Sequence, residues 1–136
     1  MRQLWWVFIV MSTAASLALA ANDIYLTDVI KNPSYLRALT QLLKSAHNLP
    51  TWTKQVLKTS GNYVGTPATY STIGGTRYEL FHTCKPHDCS DSRLEVMFSP
   101  RGARAWGAFL ESGRPIAYLG APSPAQRAAL MTSLRQ

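Results

Sequence analysis

The feature that most constrains this chain is a two-residue alternation interrupted by a short stretch bracketed by cysteines. From Thr76 to Thr83, Tyr78, Leu80 and His82 fall on one face and Arg77, Glu79 and Phe81 on the other; Leu94, Val96 and Phe98 then resume the pattern. A period of two is that of a β-strand. Between the two runs stands Cys84-Lys85-Pro86-His87-Asp88-Cys89, which holds the only two cysteines of the sequence. A segment this short cannot bury itself, so the pattern predicts a protruding tip between two strands of a hairpin. A disulfide from Cys84 to Cys89 would leave His87 and Asp88 at that tip. On the chain-entropy model such a small loop gains only ~2 kcal/mol from its bridge. Presentation is the better reason for it: Pro86 fixes one φ and the bridge pins both ends, so little entropy remains to be lost on binding.

The rest of the chain supplies a scaffold. Asn32-Pro33 reads as an N-cap with proline at the first helical position. Behind it Tyr35/Leu36, Leu39, Leu42/Leu43 and Ala46 recur at helical spacing and predict an amphipathic helix that ends before Pro50. Trp52 is expected to fold back onto the end of that helix. From Tyr63 the period changes to two, and Gly74-Gly75 signals a hairpin. Pro100-Arg101-Gly102 and Ser112-Gly113-Arg114 mark further turns, with Trp106, Phe109 and Leu110 on a strand where Gly107 suggests a bulge. Residues 115–119 read as a short last strand. Ser123-Pro124-Ala125-Gln126 has the spacing of a capping box and opens a closing helix carrying Ala129, Leu130 and Leu134. The expected class is α+β: an antiparallel meander of about five strands whose buried face is packed with an N-terminal and a C-terminal helix.

Residues 1–20 read as a secretory signal peptide. Arg2 supplies the basic start, an apolar run begins at Leu4, and Ala18-Leu19-Ala20 fits a small-x-small cleavage site. A membrane anchor is the competing reading, but a spanning helix needs roughly 20 apolar residues. Residues 21–136 are then expected to form a single exported domain, free of the membrane once the signal is cleaved. The whole chain has 14 Lys and Arg against 7 Asp and Glu, for +7; without residues 1–20, which hold Arg2 and no acid, the balance is +6. These cations are scattered along the sequence and no aromatic residues interleave with a basic run. The charge reads as a solvated surface, and nucleic acid is not an expected partner. Export into an oxidising compartment suits one disulfide with no thiol left over.

The same residues admit other chemistries. His82, Cys84, His87 and Cys89 include the ligand types of a zinc site, and a zinc-binding or polysaccharide-binding envelope module using this loop is the alternative reading. The spacing is C-x4-C rather than C-x-x-C, which argues against a redox motif. A hydrolase built from Ser90, His87 and Asp88 or Asp91 would need a water-excluding site that an exposed tip does not provide. No metal and no cofactor are expected.

The CKPHDC hexapeptide, with Leu49-Pro50-Thr51-Trp52 upstream and Arg93-Leu94-Glu95-Val96-Met97-Phe98 downstream, resembles the Ivy family, inhibitors of vertebrate (C-type) lysozyme. That resemblance implies a non-enzymatic, periplasmic protein of a Gram-negative bacterium that protects the cell wall. It implies that the loop enters the cleft of C-type lysozyme, with His87 between the two catalytic carboxylates and Lys85, Pro86 and Asp88 contacting the cleft around it. It also allows an endogenous lytic transglycosylase as a second target, and a homodimer.

Overall fold

The computed structural model describes residues 22–136; the expected signal peptide, 1–20, lies outside the described residues. Among the described residues no helix is long and apolar enough to cross a membrane. The order of elements is α1 (Leu26–Val29), α2 (Pro33–Ser45), a 3₁₀ helix (Thr51–Leu57), β1 (Val64–Gly65), β2 (Thr69–Ile73), β3 (Thr76–Cys84), β4 (Ser92–Phe98), β5 (Ala105–Glu111), β6 (Ala117–Leu119) and α3 (Pro124–Leu134). The class is α+β, as expected. All strand pairs are antiparallel, and β3, β4, β5 and β6 follow one another as a meander.

The local signals act as their chemistry dictates. Asn32 caps α2 by accepting from the Ser34 amide at 2.9 Å, with Pro33 at the first turn. Ser123 and Gln126 close a reciprocal capping box on α3, with bonds of 3.2 and 2.9 Å. Gly74 and Gly75 both take positive φ, 56° and 79°, and form a two-residue turn between Ile73 and Thr76. Two consecutive left-handed residues give the turn whose twist matches the flanking strands.

β1 and β2 lie on the same edge of β3, as one outer strand broken around Pro67. Proline cannot donate to a ladder, so it belongs at such an edge. The pairing sum changes by one across the break, from Val64↔Cys84 to Thr69↔Leu80. Gly107, in contrast, is not a bulge: the β4–β5 register runs unbroken through Val96↔Gly107. Its missing side chain serves close packing, because a Cβ there would meet the Glu95 carbonyl at 3.0 Å and the Leu42 side chain at 3.5 Å.

The expectation of one buried sheet face needs correction. α2, with α1 and the 3₁₀ helix, covers Phe81, Leu94, Val96, Phe98 and Phe109. α3 covers the opposite face, with Leu130 and Leu134 against Leu80, Met97 and Trp106. Adjacent residues of β3 and β4 point to opposite sides, and here both sides are apolar, so each needs its own cover. At fully buried positions such as Leu39, Phe81 and Leu130, burial stabilises by ~1.5–3 kcal/mol per side chain. Two polar contacts tie the layers together. The Tyr35 phenol donates to the Glu79 carboxylate, and burial together with that carboxylate holds its pKa well above the usual tyrosine value. Buried Glu95 accepts from the Ser133 hydroxyl of α3 and faces His82 Nδ1 at 3.0 Å.

Candidate functional site

Cys84 and Cys89 are joined by a disulfide with their Cα atoms 4.9 Å apart. Cys84 ends β3 and is buried at 2 % exposure, so one end of the loop is fixed in the sheet. The first half of the loop is a tight turn: the Asp88 amide donates to the Lys85 carbonyl at 3.1 Å. Pro86 and His87 are its central residues, and His87 has φ +64°. Proline followed by a positive φ is the pattern of a type II turn, whose third position normally takes glycine or asparagine. Here an imidazole occupies it, exposed to solvent. The left-handed conformation costs an L-residue with a Cβ ~1–2 kcal/mol, which the closed ring and the proline hold in place.

A second turn brings the chain back. The Asp91 and Ser92 amides both donate to the Asp88 carbonyl, at 3.2 and 3.0 Å, and the Lys85 amide donates to the Ser92 carbonyl at 3.1 Å. From outside the hairpin, the Ser112 amide donates to the Asp91 carbonyl at 2.8 Å. Trp52 Nε1 donates to Ser92 Oγ, also at 2.8 Å, in a buried contact. The base of the loop is thus held by the 3₁₀ helix and by the end of β5, while the tip is left free. Lys85 Nζ and Asp88 Oδ2 lie 3.7 Å apart, both partly exposed. Such a surface pair stabilises by 1 kcal/mol or less, but it leaves the tip with little net charge besides whatever His87 carries.

Lys85, Pro86, His87 and Asp88 are therefore brought together on one rigid projection. The zinc reading of the loop loses its ligands. Both sulfurs are consumed in the bridge, and His82 turns its Nδ1 to Glu95 beneath α3. His82, Glu95 and Ser133 do sit in series, but the carboxyl is the middle member. A nucleophile needs the base as its own neighbour; this series instead fastens α3 to the sheet. Trp52 is in the core, but sequence reasoning missed its contact with Ser92. Trp52 was expected against the end of α2; its ring packs near Phe109, with centroids 6.5 Å apart, and its N–H reaches the loop. The L-P-x-W run was the available signal, since it accompanies the hexapeptide, but spacing alone does not connect them.

The molecule is thus a small α+β scaffold that holds a disulfide-closed loop at its base and exposes it at its tip. The sequence profile of the family described as Inhibitor of vertebrate lysozyme (Ivy) matches residues 35–136, and the chain belongs to this family. The inhibitor of vertebrate lysozyme of Escherichia coli (strain K12) is 35% identical over 95 residues, 70% of this chain and 56% of its own. The Pseudomonas aeruginosa protein of the same name is 29% identical over 82 residues, 60% of this chain and 50% of its own. An uncharacterized Yersinia pestis protein is 32% identical over a stretch of the same length, again 60% of this chain and 50% of its own. The chain spans about half the length of the curated relatives it matches.

Proposed function

We propose that this chain inhibits a C-type lysozyme by inserting the Cys84–Cys89 loop into the catalytic cleft, with His87 between the two catalytic carboxylates. The observation that carries the reading is the exposed imidazole held at φ +64° on a bridged turn. A retaining glycosidase keeps its acid and its nucleophile only ~5–5.5 Å apart. An imidazole has nitrogens on opposite edges, so one ring reaches both groups while displacing sugar and water. Because the turn is already formed in the free protein, binding orders little that was mobile, and more of the contact energy appears as affinity. Lys85, Pro86 and Asp88 line the walls of the projection and contact the cleft around it. Residues 1–20 direct export, and the protein acts in the periplasm, where it protects peptidoglycan.

The test is lysis of bacterial cells by a C-type lysozyme, titrated with the purified exported chain. Abolition of lysis near one equivalent is the expected result. Undiminished lysis at a hundredfold excess overturns the reading. A lytic transglycosylase assayed in parallel shows whether an endogenous enzyme is also a target.

A further inference from the structure

On the side of the molecule built by α2 and the 3₁₀ helix lies an open groove of about 620 Å³. That volume lies in the range of small-molecule sites, roughly 300–1,000 Å³. Its floor is apolar, formed by Leu43, Ala46, Leu49 and Leu57, each half-buried against the core. Three of its lining residues are ionisable, and all three are lysines: Lys44, Lys54 and Lys58. All are exposed, and no carboxylate of the described residues lies within ion-pair distance of any of them. Lys44 stands in the last turn of α2, where a cation complements the helix carbonyls. Lys54 stands likewise in the last turn of the 3₁₀ helix, and Lys58 is the residue that follows it, so that both helix ends direct their cations to the same groove. An apolar trough rimmed by one sign of charge is complementary to a molecule with an apolar chain and an anionic end.

We infer that this groove binds a single-chain anionic amphiphile, a long-chain carboxylate, with its chain along Leu43, Leu49 and Leu57 and its head against Lys54 and Lys58. The inference does not rest on lysozyme inhibition: the groove shares the 3₁₀ helix with the support of the loop, but its lining includes neither Trp52, the residue of that helix that bonds to Ser92, nor any residue of the loop. Dodecanoate, below its micellar concentration, is the probe, followed by isothermal titration and by methyl chemical shifts of the full chain after export. Saturable binding of one equivalent is expected, with shifts concentrated at Leu43, Leu49 and Leu57. Lys54→Glu with Lys58→Glu should weaken it at least tenfold, and dodecyltrimethylammonium, with the same chain and the opposite head, should bind at least tenfold more weakly. Both substitutions lie on exposed side chains, so circular dichroism and lysozyme inhibition should be unchanged. Non-saturable uptake, equal binding of the cationic amphiphile, or full affinity in the double variant overturns the inference. So does a dimer in sedimentation that Leu57→Asp dissociates and dodecanoate does not, because a second copy would then be the occupant.

Discussion

Replacing His87 by glycine separates the two things that residue is argued to do. The imidazole makes the contact, and the φ of +64° sets its direction. In the folded state glycine relieves ~1–2 kcal/mol of left-handed strain. The unfolded chain, however, gains freedom worth ~0.5–1 kcal/mol with glycine. The two nearly cancel, so His87→Gly should melt within a few degrees of the parent and no lower. Binding has no such compensation. Loss of a central group that fills the space between two carboxylates costs ~2–4 kcal/mol at an interface hot spot, or about 30- to 700-fold in the inhibition constant. His87→Ala keeps the Cβ and hence the strain, and should share that loss. Glycine should be the weaker inhibitor of the two, by up to about fivefold, because it leaves more of the turn to be ordered on binding. The assay is the inhibition constant against C-type lysozyme, paired with thermal unfolding. If either variant inhibits within threefold of the parent, the imidazole is not the inserted group. If His87→Ala alone unfolds the domain, the residue is structural and the argument from exposure is wrong.

Other perturbations probe what surrounds the tip. Cys84→Ser with Cys89→Ser should lower stability by no more than ~2 kcal/mol yet weaken inhibition by more, in free energy, than it lowers stability; equal inhibition with the bridge gone would refute preorganisation. Trp52→Phe removes the donor to Ser92 Oγ in a buried contact, for ~1–2 kcal/mol, and should speed hydrogen exchange at the Lys85 and Ser92 amides; exchange changes confined to α2 would refute its role at the loop base. Gly102→Ala places a Cβ 2.4 Å from the Tyr35 ring at φ +67°; a loss of ~2–4 kcal/mol in denaturant unfolding is expected, and a silent substitution would mean that Tyr35 does not pack on this turn. Ser123→Ala breaks the capping box of α3 and should cost ~1 kcal/mol, read as a melting decrease of a few degrees.

Much of the scaffold was legible because its signals are local. The cap at Asn32-Pro33, the box at Ser123 and Gln126, the glycine pair at 74–75 and the hairpin that carries the loop each depend on residues within a few positions of one another. Hydrogen bonds that close over three or four residues leave that spacing in the sequence. The hexapeptide was legible for the same reason, since a bridge across five positions is also a local event.

What only the tertiary structure decided involves distance. Alternation in β3 and β4 tells which residues share a side, but not that both sides are covered, because coverage depends on where α2 and α3 land. Glu95 stands between Leu94 and Val96 in the alternation, and nothing in that spacing tells that α3 closes over it and supplies Ser133. The 3₁₀ helix Thr51–Leu57 is too short to print a helical period, and its Trp52 meets Ser92 forty positions away. Lys44, Lys54 and Lys58 look scattered along the chain, and packing of two elements gathers them on one groove. Local spacing is fixed by backbone geometry and written in the order of residues. Proximity between distant segments is set by how apolar faces exclude water together, and that depends on the whole chain at once.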